Sequence, residues 1–354
     1  MDYRDTLRKP ISDVSVTVLG AGTWGVALAK MLREMPRDVT VWSALPSEIG
    51  AITKNNRHPF LPDVEMPEGI RYTLDGAEAC AGGDVLLAAV ASPYMRSTIE
   101  SLRPYITDRH IVAVATKGIE ADTLMTMSQV VRDVMGEEWG GRVVAISGPT
   151  HAEEVAVRKP TTMISACADS DAAGFVQQVL TCGYMRVYTS TDIVGVEICG
   201  ALKNIIALAS GISRGLGYGD NAVAALITRG AAQIAELLRR MGCSMQTCSG
   251  LAGVGDLIVT CISMHSRNNR CGQLIGGGMS PDDAVREVGM VVEGINALPA
   301  AMALQETYGV KMKIADAVND VINGGKPARQ AAEELMRGEL KAEFPEDTVG
   351  YIGV

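Results

Sequence analysis

Residues 14–19, VSVTVL, run directly into Gly20-Ala21-Gly22-Thr23-Trp24-Gly25, and a helical pattern follows to about Glu34. A β-branched alternating run, a glycine turn and a helix in immediate succession leave the chain little choice but a strand–turn–helix unit at its start. In that context GxGxxG has a physical meaning that the bare pattern lacks. Gly20 permits the tight turn, Gly22 lets backbone approach a pyrophosphate, and Gly25 lets helix and strand pack closely. The free N–H groups at the helix start complete an anion site. A dinucleotide is therefore the expected ligand, the alternative being a purely structural glycine turn.

The apolar runs that follow continue the rhythm. VTVW (39–42), DVLLAAV (84–90), HIVAVAT (110–116), RVVAIS (142–147), TTMISA (161–166) and MRVY (185–188) alternate with polar or helical stretches. Continuous apolar strands separated by helices predict a parallel sheet covered on both faces, an α/β domain over 14–189. After Thr189 the pattern changes. Asp192 is placed to cap a long helix of small and apolar residues, and further helices are expected over 221–241, 281–288, 295–308, 313–323 and 327–338, with glycines as stops. An all-helical domain over 190–342 is expected, with an N-terminal extension at 1–13 and a tail at 343–354 to which the residues assign no role.

Composition limits the partners. Among 354 residues, Lys and Arg number 32 against 41 Asp and Glu, a net charge of −9, which argues against whole-surface attraction to nucleic acid or anionic lipid. The stretch 241–255 is uncharged but interrupted by Ser, Gln, Thr and Gly, so a membrane span is not expected. The first residues do not read as a signal peptide. Eight cysteines without a CxxC pair, in a chain far longer than a disulfide scaffold, are expected to be reduced thiols, and no metal site is foreseen. A cytoplasmic location follows as the expectation. The faces of the long apolar helices are compatible with a homodimer.

Several residues carry chemistry. Strand ends of an α/β sheet face ligands, which places Lys117 in TKG and the loop SGPTHAEE (147–154) at one cleft; solvation of Lys117 and packing of His151 are the structural alternatives. Lys203 is harder to explain as surface, because Ile198–Ala209 puts small or apolar residues on every face around it. It either snorkels to water or points its amine into a desolvated cleft, where burial lowers its pKa toward a working range for carbonyl–alcohol interconversion. Asp256 and Thr260, four apart, share a helix face, and Asp256 either orients the Lys203 ammonium or caps that helix. Ser266-Arg267-Asn268 offers a fork plus neutral donors suited to a phosphate, or a solvated loop. Glu293 in VVEG either reaches a ribose or caps the next helix. The second strand ends in Trp42-Ser43-Ala44-Leu45, without the acid that commonly holds the ribose hydroxyls of NADH. With neither that acid nor an adjacent arginine, NADPH and NADH are both admissible, with a slight lean to NADPH.

GAGTWG (20–25), TKG (116–118), SGPTHAEE (147–154), GVEICGALKNIIALASGI (195–212), GVGDLIVT (253–260), SRN (266–268) and VVEG (291–294), in that order, resemble the soluble bacterial NAD(P)-dependent glycerol-3-phosphate dehydrogenases. The resemblance implies a Rossmann-like parallel-sheet domain followed by a helical substrate domain. It further implies reversible reduction of dihydroxyacetone phosphate to sn-glycerol 3-phosphate with NADH or NADPH, supplying phospholipid synthesis. By the same resemblance Lys203 is the catalytic proton donor or acceptor, with Lys117 and Asp256 beside it, and Lys117 touches both substrate and cofactor. Substrate would also meet Gly148, Thr150, Lys203, Asp256, Ser266, Arg267 and Asn268. The dinucleotide would meet Gly20, Gly22, Thr23, Trp24, Gly25, Lys117, Ala152, Arg267, Val291 and Glu293. The chain departs from the family at Ser43-Ala44-Leu45, where a basic residue is frequent. A 3-hydroxyacid or ketopantoate reductase on the same architecture, or a dinucleotide sensor without turnover, are the other readings.

Overall fold

The computed structural model describes residues 2–337 together with 340 and 343, so nearly all of the tail at 343–354 lies outside the described residues. Eight strands form one sheet: β1 (Val16–Leu19), β2 (Val39–Trp42), β3 (Ile70–Thr73), β4 (Val85–Ala88), β5 (Ile111–Val114), β6 (Val143–Ser147), β7 (Thr161–Ala166) and β8 (Met185–Ser190). Their order is β3-β2-β1-β4-β5-β6-β7-β8, so the winding reverses between β1 and β4. Doubly wound sheets bind ligands at such a reversal, beyond the carboxyl ends of the strands.

Every residue of β1, β2, β4, β5 and β6 is buried. Val16, Val18, Val85 and Leu87 face a core shared with the helices Thr23–Arg33 and Ser170–Leu180, while Leu19, Leu86 and Ala88 face one shared with Met95–Leu102 and Met127–Met135. Burial on both faces is why β4 and β5 carry no polar residue at all. Two features depart from the sequence expectation. The edge strand β3, IRYT, is half-exposed and too polar to stand out as an apolar run. The sheet is also not wholly parallel, because β7 runs antiparallel to β6 and β8 then pairs parallel to β7. The link between β6 and β7 contains only the five-residue helix Ala152–Ala156, about 7.5 Å long at the usual rise, too short to carry the chain back along a strand.

From Ile193 onward every element among the described residues is a helix. The helix Ile193–Gly215 is long and apolar enough to cross a membrane, but 89% of its apolar window is buried inside the protein, and it serves as the core of this half. Asp192 caps it by accepting from the Gly195 N–H at 3.1 Å, as the sequence predicts. The helix Arg267–Gly276 lies against it at backbone distance. A Cβ on Gly211 would stand 2.1 Å from the Asn269 carbonyl oxygen, and one on Gly272 2.2 Å from that of Leu208. Glycine on both helices is what permits this approach, and it fixes the position of Ser266-Arg267-Asn268 relative to Lys203. The Ile295–Tyr308 run divides into Glu293–Asn296 and Leu298–Tyr308, with Pro299 in the first turn of the second helix.

One buried contact ties the two halves. Glu197, on the long helix, accepts from the Ser128 N–H at 2.8 Å, the Thr126 hydroxyl at 2.6 Å and the Ser128 hydroxyl, at the start of the helix Met127–Met135. The N-terminal extension is docked onto the sheet domain. Tyr3, Leu7 and Ile11 pack against its core, and Lys9 pairs with buried Asp84 at 2.6 Å.

Candidate active site

A cleft of about 770 Å³ opens over the carboxyl ends of β1, β2, β4, β5 and β6 and is roofed by the helical half. Its floor begins at the glycine turn. Gly20 has φ of +114°, and a Cβ there would stand 3.0 Å from the Val90 backbone nitrogen. Gly22 caps the helix Thr23–Arg33 and has nothing within 4 Å of where a Cβ would point, so backbone is open to the cleft. A Cβ on Gly25 would stand 2.2 Å from the Gly20 carbonyl oxygen, so it serves packing and does not line the cleft. At the same helix start the Thr23 hydroxyl is buried without a partner. An open glycine, a helix N-terminus and an unsatisfied hydroxyl together fit the pyrophosphate of a dinucleotide.

The far end of the cleft holds a cluster of charges built from three elements. Lys117 follows β5 and Asp256 opens the helix Asp256–Ile262, while Lys203 lies midway along Ile193–Gly215. Lys117 Nζ donates to Asp256 Oδ2 at 2.7 Å and to the Gly148 carbonyl at 2.9 Å. Lys203 Nζ donates to Asp256 Oδ1 and, at 2.8 Å, to the Thr260 hydroxyl. That hydroxyl in turn donates to the Asp256 carbonyl oxygen at 2.6 Å. Asp256 does not cap its helix; its carboxylate bridges two ammonium groups, and Lys203 is 6% exposed and does not snorkel to solvent. The long helix can bring Lys203 here because Gly200, one turn earlier, lets it press on the end of β6.

Burial sets the electrostatics. It pulls the Lys203 amine down to about 7, with the opposing attraction of Asp256 too weak to restore it and nearby Lys117 adding repulsion. Burial pushes the Asp256 carboxyl up, but Lys117 and Lys203 outweigh it and hold the group below the ordinary carboxylate range. His151 lines the cleft with Nε2 buried and unpartnered, and burial together with Lys203 holds its ring below the ordinary imidazole value.

Thr150 and Ala152 line the cleft from the β6 side. Ser266 caps Arg267–Gly276, and Arg267 projects exposed into the cleft, touching the Val291 carbonyl at 3.2 Å with no carboxylate of the described residues within ion-pair distance. Trp24, Val291 and Glu293 line it too; Glu293 accepts from the Ser92 hydroxyl at 2.7 Å, joining the two halves across the opening. Asn268 stands behind this wall. Its side chain donates to Asn204 Oδ1 at 3.0 Å and accepts from the Gly294 N–H at 2.8 Å, which holds the Arg267 and Glu293 segments together and turns its amide away from the cleft. Gly148 likewise contributes through its carbonyl to Lys117. Sequence reasoning passed over Ser92 and Glu48, which stand in no motif that would mark them, and Asn204, which stands beside Lys203 in GVEICGALKNIIALASGI but was given no role.

The fold and site can be compared with known proteins. The family model for the NAD-dependent glycerol-3-phosphate dehydrogenase N-terminus matches residues 15–173, and the C-terminus model matches 192–333. A Lactobacillus delbrueckii subsp. bulgaricus protein named glycerol-3-phosphate dehydrogenase (NAD(P)+) 2 is 51% identical over 332 residues, 93% of this chain and 98% of its own. A Bacillus subtilis glycerol-3-phosphate dehydrogenase (NAD(P)+) is 45% identical, over 91% of this chain and 93% of its own. The crystal structure of glycerol-3-phosphate dehydrogenase from Coxiella burnetii superposes with a TM-score of 0.88 at 32% identity, covering 93% of this chain and all of that one. Taken with a glycine turn open to a dinucleotide and a buried lysine across the cleft from it, these matches place the chain in the NAD-dependent glycerol-3-phosphate dehydrogenase family.

Proposed function

We propose that this enzyme interconverts dihydroxyacetone phosphate and sn-glycerol 3-phosphate, with Lys203 as the group that exchanges a proton with the substrate oxygen. Reduction consumes one NAD(P)H and one proton per carbonyl and releases NAD(P)+ and the alcohol. The observation that carries this reading is the Lys203 amine, poised at about 7 and seated on Asp256 and Thr260 inside a dinucleotide-sized cleft. The nicotinamide cofactor, when bound, supplies the hydride. Near neutrality Lys203 is divided between its two forms, so the ammonium can protonate the carbonyl oxygen in reduction and the free amine can take the alcohol proton in oxidation. Asp256 holds the amine in one direction and stabilises the ammonium. Lys117, on the other oxygen of Asp256, supplies a second positive charge for the substrate oxygens.

Arg267, with no carboxylate of the described residues within ion-pair distance, is suited to grip the phosphate, and Ser266 and Thr150 supply neutral groups nearby. Asn268 acts by fixing the loop that carries Arg267. Gly20, Gly22, Thr23 and Trp24 would hold the dinucleotide from the sheet, with Ala152, Val291 and Glu293 on the other wall. Closure of the helical half over the cleft excludes water and brings the reactants into line, which supplies much of the acceleration. The expected setting is the cytoplasm, where the product supplies glycerophospholipid synthesis. Purified protein should oxidise NADH or NADPH in the presence of dihydroxyacetone phosphate and far more slowly with unphosphorylated dihydroxyacetone. Dinucleotide binding without phosphate-dependent turnover would refute the assignment and favour a related reductase or a sensor.

A further inference from the structure

The carboxyl end of β2 lacks an acid in the sequence, yet the fold delivers one. The helix Pro46–Asn55 begins three residues after Ser43, and its first turn carries Glu48 back over the strand end. The Ser43 hydroxyl donates to Glu48 Oε2 at 2.5 Å and accepts from the Leu45 N–H at 3.0 Å. Ser43 is buried and Glu48 half-buried, and both line the cleft at the end occupied by the glycine turn, away from Lys203.

Resting on the reading of the cleft as a dinucleotide site, we propose that Glu48 is a specificity-determining residue: its carboxylate, oriented by Ser43, accepts from the adenosine ribose hydroxyls of NADH and repels the 2′-phosphate of NADPH.

Three observations support this. The single proton of the Ser43 hydroxyl is already given to Glu48, so the serine has no donor left for a phosphate. Among the described residues lining this end, from Ser43 to Phe60, there is neither Lys nor Arg: Lys54 and Arg57 do not line the cleft, and Arg57 pairs with Glu65 at 2.5 Å. His58, which does line it, accepts from the Phe60 N–H through Nδ1 at 3.1 Å, and burial holds its ring below the ordinary imidazole value, so it supplies no cation at neutral pH. A 2′-phosphate placed here would meet a carboxylate with no compensating positive charge, which is a device for rejection as much as for binding. This reverses the slight lean to NADPH that Ser43-Ala44-Leu45 suggests when read as a linear segment.

The test is the dissociation constant of each reduced dinucleotide, measured by calorimetry without substrate, for the wild-type protein and for Glu48→Gln and Glu48→Arg. The proposal expects wild type to bind NADH at least about tenfold more tightly than NADPH, Glu48→Gln to shrink that ratio about tenfold or more, and Glu48→Arg to invert it. Wild type binding NADPH equally or better, or a ratio unchanged in both variants, would overturn the proposal while leaving the dinucleotide site intact. Binding of neither dinucleotide by wild type would overturn both together.

Discussion

Replacing Asp256 by Asn removes one negative charge while keeping shape and hydrogen-bonding capacity, and the structure sets the size of the effect. The carboxylate stands between two ammonium groups, 2.7 Å from Lys117 Nζ on one oxygen and hydrogen-bonded to Lys203 on the other. Two unit charges centred about 4 Å apart interact by about 4 kcal/mol at an effective dielectric near 20. Losing that attraction lowers the proton affinity of Lys203 about a thousandfold, since about 1.4 kcal/mol corresponds to a factor of ten. Lys203 is poised at about 7 in the native protein, so about half of it is protonated at pH 7. In Asp256→Asn that fraction falls to about one in a thousand, and reduction of dihydroxyacetone phosphate should slow by about 500-fold at pH 7. Because Lys203 can release its proton, the variant avoids most of the cost of an unpaired buried charge and should fold. The assay is kcat for reduction against pH, with circular dichroism and a dinucleotide Kd as controls. The descending limb should move to the acid side by about three pH units. A rate within tenfold of wild type at pH 7, or a lost rate with an unmoved pH limb, would refute the electrostatic role given to Asp256.

Three further outcomes are expected. In the native enzyme the lowered lysine is protonated below about 7 and neutral above it, so kcat for carbonyl reduction should fall as pH rises through that value while alcohol oxidation rises; parallel profiles in the two directions would exclude Lys203 as the titrating group. Arg267→Ala should raise KM for dihydroxyacetone phosphate by about 10- to 100-fold, from the loss of a charge-assisted contact of about 1.5–3 kcal/mol, with little change for unphosphorylated dihydroxyacetone. An unchanged KM would assign the phosphate to another cation. Glu197→Ala strips partners from the buried Ser128 N–H and the Thr126 and Ser128 hydroxyls and should cost about 2–4 kcal/mol, lowering Tm by about 5–10 °C; a fall under about 2 °C would show that the contact does not tie the halves together.

How much of this could be read from the chain depends on whether the information is local. β4 and β5 are continuous apolar runs because both faces are covered, so they are visible in the residues themselves. β3 is an edge strand with one half-buried face and carries no such signal. The reversal at β7 was invisible in another way: TTMISA has the same pattern in either direction, and only the shortness of the preceding helix distinguishes them. Within the site, the Lys203–Asp256 contact was foreseeable because an isolated lysine in an apolar helix needs a counter-charge. That the same carboxylate also takes Lys117, from another strand end, depends on how the two halves dock. Asn268 sits in a polar triplet, and nothing in SRN distinguishes the residue facing the cleft from the one securing the loop behind it. Glu48 is hidden for a similar reason. It is five residues past Ser43 and meets it only because the chain turns into a helix at Pro46.

The central claim is that Lys203 is the proton-exchanging group of a dinucleotide-dependent carbonyl reductase, and it is tested most directly by Lys203→Ala with turnover and binding measured on the same preparation. The account predicts that turnover of dihydroxyacetone phosphate is lost by at least about a thousandfold while the dinucleotide Kd, set at the other end of the cleft, changes by less than about threefold. Turnover retained within tenfold of wild type would contradict it, whatever the binding result.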